Sequence, residues 1–372
     1  MSNIKKRFIT TMILHALGDT IGFKNGDWEF NYKKDNTTYL DLRIAIDLIS
    51  EFIELGGVNG INLKNWNISD DTLFHEAVAK SLLEYENKLD ENYINKIFKN
   101  NFIDTFNSIV EDNKNNIKRC MGETTISSIK KWTDNIDERK QEFNFISGGN
   151  GCAMRNLCIG LAFHDNVDKL IDYSIITSMT THNNPLGFLG GLTSALFTNY
   201  AINNIEINNW IYELLIILNS KKVLKYIDTK NNDTYFAYRE FIRYWEIYLD
   251  LRFLDNKPIF TKSNANILFR SKFYYDNFNK NLNDVIGSTG ISAMIMAYDC
   301  LLDCNGYWEK LIVYAMLHSG DSDTVGAIAG GLYGAVYGYG DVPKHMLEYL
   351  EDKKKLEKYG EDLYSKFFSN KS

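Results

Sequence analysis

Apolar positions along this chain recur at helical rather than strand spacing. From residue 71, "DTLFHEAVAKSLLEYENKL" sets Leu73, Ala77, Leu82 and Leu83 on one side with charged residues opposite, the repeat of an amphipathic helix. The same rhythm runs through "NVDKLIDYSIITSM" (166–179), "GFLGGLTSALFTNYAI" (187–202) and "GISAMIMAYDCLLDC" (290–304). Alternating β-branched runs are scarce, and there are 3 prolines in 372 residues, so a mostly α chain is expected. Near the end, Gly326, Gly330, Gly334 and Gly338 fall every fourth residue on one helical face. Each helical glycine costs about 1 kcal/mol relative to alanine, so the stripe predicts close approach by another helix or a ligand.

The first residues, "MSNIKKRFITTMILHALGDT", put basic side chains before a short apolar stretch. That stretch holds His15 and runs into Gly18-Asp19 with no small-residue cleavage site, so an amphipathic first helix is expected rather than a leader. The Asn-x-Ser/Thr triplets at Asn36, Asn67 and Asn232 are ordinary for so Asn-rich a chain. Two polar stretches, 111–119 and 228–236, read as solvated loops. Length alone suggests about two or three domains, but no Pro/Gly/Ser-rich linker divides the chain. Distinctive motifs lie near residues 18, 70, 150, 185, 288 and 321. If they meet at one site, residues 1–372 form a single domain.

A composition 45% hydrophobic and 14% aromatic supports a substantial core, and the net charge of −7 argues against nucleic acid or an anionic membrane as partner. No apolar run is long enough to span a bilayer. The five cysteines form no CxxC pair, as expected for thiols of a reducing, cytoplasmic compartment.

Two segments share a design: Ser69-Asp70-Asp71-Thr72 and Asp321-Ser322-Asp323-Thr324 each precede an apolar helix. Either alone reads as a helix cap. A cap needs one side-chain oxygen, however, and each segment offers three or four. Carboxylates so close repel one another unless a cation neutralises them. Oxygen donors without Cys or His at ligand spacing suit Mg²⁺ rather than zinc, and two such ions could polarise an oxygen or activate a water. His318, nearby, reads as a hydrogen-bonded helix-end residue. Two glycine loops, Ser147-Gly148-Gly149-Asn150-Gly151 and Gly287-Ser288-Thr289-Gly290, precede helical patterns and could offer backbone N–H groups to a phosphate. Neither follows a strand, which excludes a dinucleotide-binding βαβ unit.

These pieces together resemble the ADP-ribosylhydrolases, the family of ADP-ribosylarginine hydrolase and the dinitrogenase reductase-activating glycohydrolase. The matching stretches are "GDTIG" (18–22), "NGDWEF" (25–30), "WNISDDT" (66–72), "GGNGCAMRNLCIGLAF" (148–163), "THNNPLGFLGGLTSALF" (181–197), "GSTGISAMIMAYD" (287–299) and "HSGDSDTVGAIAGGLYG" (318–334). "NGDWEF" and "YWEIYLDLR" (244–252) look most like the arginine-hydrolase branch. The resemblance implies an all-α fold, one compact domain of orthogonally packed helices, with two Mg²⁺ ions in a cleft. It implies Ser69, Asp70, Asp71 and Asp323 as ligands of one ion, and Asp321, Asp323 and Thr324 as ligands of the other. Glu29 matches a mobile acidic residue that closes over the site. Gly148, Gly149, Asn150 and Gly151, with His182, Gly287, Ser288 and Gly290, match the ADP-ribose pocket.

The implied reaction is hydrolysis of the bond from ribose C1 to an arginine nitrogen, releasing ADP-ribose from modified proteins. The transition state would be oxocarbenium-like. Asp70 or Asp71 is expected to orient or deprotonate the water, and Glu29 to help position the substrate. A monomer is expected. Ile291 and Ser292 stand where a His-Asp pair is expected in close relatives, a departure that bears on nucleotide or substrate contacts. Trp28, Tyr173 and Phe188 are possible stacking partners for adenine, though core or rim positions suit them as well. Alternatives within the same fold are an O-linked (serine or acetyl ester) ADP-ribose hydrolase and a catalytically silent ADP-ribose binder.

Overall fold

The computed structural model describes residues 3–31, 42–86, 90–134, 143–259, 267–279 and 285–369; the triplet at Asn36 lies outside them. Asparagine and its polar kin start many of the helices. The side chain of Ser69 accepts from Asp71 N to cap Asp70–Glu84, and Asn166 accepts from Lys169 N to cap Val167–Met179. Asn184 caps Pro185–Ile202, whose proline occupies the first turn, where its missing N–H costs nothing. Asn231 caps Asn232–Arg252. Strand is confined, among the described residues, to Phe253–Leu254 paired antiparallel with Lys257–Pro258. Nearly all the buried apolar side chains form one contiguous cluster, and the all-α expectation holds.

The first helix, Asn3–Phe23, departs from expectation. It is not amphipathic: every residue from Arg7 to Phe23 is buried. Its polar side chains are satisfied from other elements, as when Thr10 Oγ1 donates to Gly334 O at 2.7 Å and His15 Nε2 meets Met154 O at 2.8 Å. The partner across its closest face is the glycine-striped helix Ser322–Tyr337. A methyl placed on Gly330 or Gly334 would stand 2.2 Å from Leu14 O or Thr10 O respectively, and one on Gly326 would stand 2.6 Å from Gly18 O. The two helices thus run antiparallel, backbone on backbone, in steps of four residues. Gly338 does not join the stripe; at φ +68° it ends the helix.

Gly18 is the tightest point of this contact, its added methyl falling 2.0 Å from Gly326 O. Because backbone lies on both sides, nothing flexible can yield. Gly18→Ala is expected to cost about 3 kcal/mol or more, read as a fall in urea midpoint with the slope unchanged.

Two expected solvated loops are corrected in part: both are exposed along most of their length, but each is partly helical. Residues 111–114 continue the helix Glu91–Lys114, and the stretch ends in Arg119, which is buried against Glu351 (2.8 Å), Asp112 (2.8 Å) and Ile68 O (2.7 Å). Residues 113–116 and 118 are exposed as expected, but Arg119 O accepts from Asp70 N at 2.9 Å, so the stretch ends by supporting an acidic motif. In the second, residues 232–236 are the first turn of Asn232–Arg252, because Asn231 nucleates a helix rather than extending a turn.

That helix also carries Arg252 into a buried charge cluster. Arg252 and Arg270 each pair with both Asp299 and Asp303, at 2.6–2.8 Å. Tyr248 and Tyr274 hydroxyls complete the shell of Asp299.

Candidate active site

Both acidic motifs open helices at one cavity of about 230 Å³. Asp70, Asp71, Asp321, Asp323 and Thr324 line it, facing Glu29 and Phe30, while Gly149, Asn150, Gly151, His182 and Ser288 line it too. The sequence-predicted residues therefore converge, although not all reach the cavity. Ser69 is buried and its Oγ accepts from Asp71 N at 3.1 Å. Gly148, Gly287 and Gly290 stand behind the wall: a methyl on Gly290 would meet Leu186 O at 2.4 Å, and Gly287 adopts φ +84°. Its carbonyl accepts from Asn150 Nδ2 at 2.9 Å.

Neither glycine loop is a plain helix N-terminus. After Gly151 the chain turns through Arg155 before the helix Leu157–Ala162 begins. The second loop does enter Gly290–Cys304, but Thr289 and Ser292 close that end with a reciprocal capping box. Ser292 thus has a local task where an acidic residue was expected, and Ile291 is fully buried. The loops instead hold each other: Gly149 bridges Thr289, and Asn150 N donates to Ser288 O at 3.2 Å. Asn150 Nδ2 also reaches Asp321 Oδ2 at 2.9 Å, which joins the glycine side of the cavity to the acidic side.

The acidic side crowds buried carboxylates against one another. Burial pushes the Asp323 carboxyl well above its ordinary range, and Glu29, Asp71 and Asp321 push it further. Burial and the charges of Glu29, Asp19 and Asp321 do the same to Asp70, and burial with Asp70, Asp19 and Asp321 to Asp71. One oxygen of Asp71 is buried with no hydrogen-bond partner among the described residues. Single oxygens of Glu29, Asp321 and Asp323 lie within 4.8 Å of one another. A buried, oxygen-only donor set with an orphaned carboxylate oxygen fits a hard divalent cation, which would neutralise the mutual repulsion.

Side chains not anticipated from sequence hold this arrangement. Asp19, on the first helix, accepts from Ser69 N at 3.0 Å, from Thr72 N at 3.2 Å and from the Thr72 hydroxyl. Burial raises its carboxyl to about 6 against those lowering hydrogen bonds. The "GDT" of residues 18–20 was the available signal. Asp19→Asn would turn a donor toward these N–H groups and loosen the 69–72 turn. We expect a 10- to 100-fold loss of divalent-cation affinity, measured by calorimetric titration. Arg155, fully buried, donates to Gly151 O at 3.0 Å and to Thr181 Oγ1 at 2.7 Å. An arginine in the apolar stretch 152–163 was its one trace in the sequence.

Cys120, Glu123 and Thr125 also line the cavity. The candidate stacking residues Trp28, Tyr173 and Phe188 are all core residues and none lines the cavity. His318 is buried and its Nδ1 accepts from Gly320 N at 3.2 Å, as a helix-end residue should.

A family model described as ADP-ribosylglycohydrolase matches residues 1–372. The chain is 36% identical over 338 residues to a candidate ADP-ribosyl glycohydrolase of Acanthamoeba polyphaga mimivirus, spanning 88% of this chain and 63% of the viral protein. It is 31% identical over 388 residues to the ADP-ribosylhydrolase ARH1 of Dictyostelium discoideum, spanning 96% and 93%. Human ADP-ribosylhydrolase ARH3 is more distant, at 22% over 319 residues, 80% of this chain and 78% of that protein. A solved structure of an ADP-ribosylglycohydrolase-related protein complex shares the fold, with a TM-score of 0.60 at 17% identity over 99% of this chain and 100% of that one.

Proposed function

The chain belongs to the ADP-ribosylglycohydrolase family, and from that premise we propose that it hydrolyses the N-glycosidic bond of ADP-ribosylarginine on proteins, with two Mg²⁺ ions in the carboxylate pocket. The observation that carries this reading is the juxtaposition of buried, mutually repelling carboxylates, one with an orphaned oxygen, and a wall of glycine, Asn150 and His182 across one cavity. Ser69, Asp70, Asp71 and Asp323 would hold one ion, and Asp321, Asp323 and Thr324 the other. When bound, the ions supply positive charge that orients the ribose hydroxyls and polarises oxygens held there.

The chain's own residues do the rest. The Gly149–Gly151 loop, Ser288 and His182 hold the ADP-ribose, fixing C1 against the acidic wall. Asp70 or Asp71 orients a water and takes its proton as the oxygen bonds to C1. The C1–N bond breaks, and the arginine side chain leaves as guanidinium after gaining a proton. Glu29, on the rim, keeps the ring in place. The "NGDWEF" segment, which puts Glu29 and Phe30 on the cavity, supports the arginine linkage, and we further propose that the protein acts as a cytoplasmic monomer.

The test is release of ADP-ribose from an arginine-modified peptide with Mg²⁺ and with EDTA. Release that EDTA abolishes is expected. Release from serine-linked but not arginine-linked peptide would move the linkage, and ADP-ribose binding without release from either would leave a silent binder.

A further inference from the structure

Arg155 is a buried charge that the proposed chemistry leaves unused. Its guanidinium hydrogen-bonds to neutral oxygens, Gly151 O, Thr177 O and Thr181 Oγ1, and lies 4.7 Å from the centre of the Phe102 ring, while its Nε has no partner among the described residues. Burying a cation this way is costly, so the groups it holds define its role. We propose that Arg155, acting through the Thr181 hydroxyl, fixes the ring proton of His182 on Nε2, so that this nitrogen is a standing donor to an oxygen of bound ADP-ribose. The inference rests on the reading of the cavity as an ADP-ribose site.

The geometry of hydrogen-bond supply and demand assigns the proton. A guanidinium can only donate, so Thr181 Oγ1 accepts from Arg155 Nη2 at 2.7 Å. The hydroxyl has one proton to give and three neighbours that could take it: His182 Nδ1 at 2.7 Å, Ser178 O at 3.4 Å and the Cys152 sulfur, a weak acceptor, at 3.9 Å. Ser178 O already accepts from Thr181 N at 3.1 Å, from His182 N at 2.9 Å and from the Cys152 thiol at 3.5 Å. The contact to Nδ1 is the shortest of these, and Arg155, already donating to the oxygen, favours donation along it by polarising the hydroxyl. Nδ1 is then an acceptor, and the neutral ring carries its hydrogen on Nε2. That nitrogen faces the glycine loop, 3.1 Å from where a methyl on Gly151 would sit, in the wall of the cavity. Burial and Arg155 together lower the His182 pKa to about 3, which keeps the ring neutral at physiological pH.

Arg155 and Thr181 are therefore positioning residues, and ¹⁵N imidazole NMR on the full chain tests them alongside ADP-ribose titration by calorimetry. In the wild type at pH 7, His182 is expected as the Nε2–H tautomer. Arg155→Gln should admit the Nδ1–H form and weaken ADP-ribose binding by about tenfold. If Arg155→Gln does not fold, Thr181→Val, a hydroxyl-to-methyl exchange of the same shape, is expected to show both effects, and Thr181→Ser to restore both. An Nδ1–H ring in the wild type overturns the proposal. So does an unchanged tautomer with unchanged affinity in the folded Arg155→Gln or in Thr181→Val. A wild type with the Nε2–H ring that binds no ADP-ribose would instead overturn the ligand reading of the cavity and leave the tautomer assignment standing.

Discussion

Asp323→Asn is expected to lower Mg²⁺-dependent ADP-ribose release by about a thousandfold or more while the protein stays folded. Asp323 sits in the first turn of Ser322–Tyr337, nearly buried, with Glu29, Asp71 and Asp321 all raising the cost of its charge. In the proposed site it is the ligand shared by both ions, so its removal weakens both at once. The backbone should survive the change, because Asp323 Oδ1 accepts from Thr324 N at 2.8 Å and the asparagine oxygen can do the same. Removing one of several crowded negative charges also eases repulsion in the metal-free protein. In EDTA the variant should therefore melt no lower than the wild type, and about 1–2 °C higher by the usual scaling. Assay and melting curve are read together. A collapse in melting temperature would make Asp323 a structural residue and remove the basis for its role in the reaction.

A second large effect is expected far from the chemistry. Asp299→Asn should destabilise the fold by about 3–5 kcal/mol, measured by urea unfolding. Both carboxylate oxygens are fully engaged: Oδ1 accepts from Tyr248 and Arg252, and Oδ2 from Tyr274 and Arg270, at 2.6–2.7 Å. An asparagine would set an NH₂ against two of those donors and remove one of the two carboxylates that pair with both buried guanidinium groups. Burial pushes the Asp299 carboxyl up, but Arg252, Arg270 and the two tyrosines outweigh it and hold it below its ordinary 3.8. The folded value lies below the unfolded one, so the contribution is present above about 3.8 and is lost as pH falls through the folded value. The gap between wild type and Asp299→Asn should accordingly be full at pH 7 and narrow under strong acid.

The acidic motifs were legible because their signal is local: two closely spaced carboxylates with Ser and Thr exceed what a cap uses, and that surplus is visible in four letters. Helical periodicity was legible for the same reason. What stayed hidden was set by distant partners. Asp19 acts on residues 50 and 53 positions away, and nothing in "GDT" says which amide groups it will meet. The polar residues of the first helix, Thr10, Thr11, His15 and Thr20, suggested a wet face, yet each finds a partner inside the protein. The glycine stripe predicted a close neighbour correctly without identifying it, since the complementary stripe, at Thr10, Leu14 and Gly18, is spread over ordinary residues. The glycine loops suggest helix-start anion sites, but local capping by Thr289 and Ser292 fills that role at one of them.

The backbone seam between the first helix and Ser322–Tyr337 has a consequence for a protein still on the ribosome. Ser322 Oγ donates to Gly22 O at 2.8 Å across 300 positions of sequence. At roughly 5–20 residues per second, the first helix waits about 15–60 s for its partner to be made. Throughout that interval the face that will meet Ser322–Tyr337 lacks its cover, and the two halves of the acidic wall have not met. The nascent chain therefore passes most of its synthesis as an exposed hydrophobic segment in search of a cover, a natural client for a holding chaperone, and its catalytic pocket comes into being among the last events of its birth.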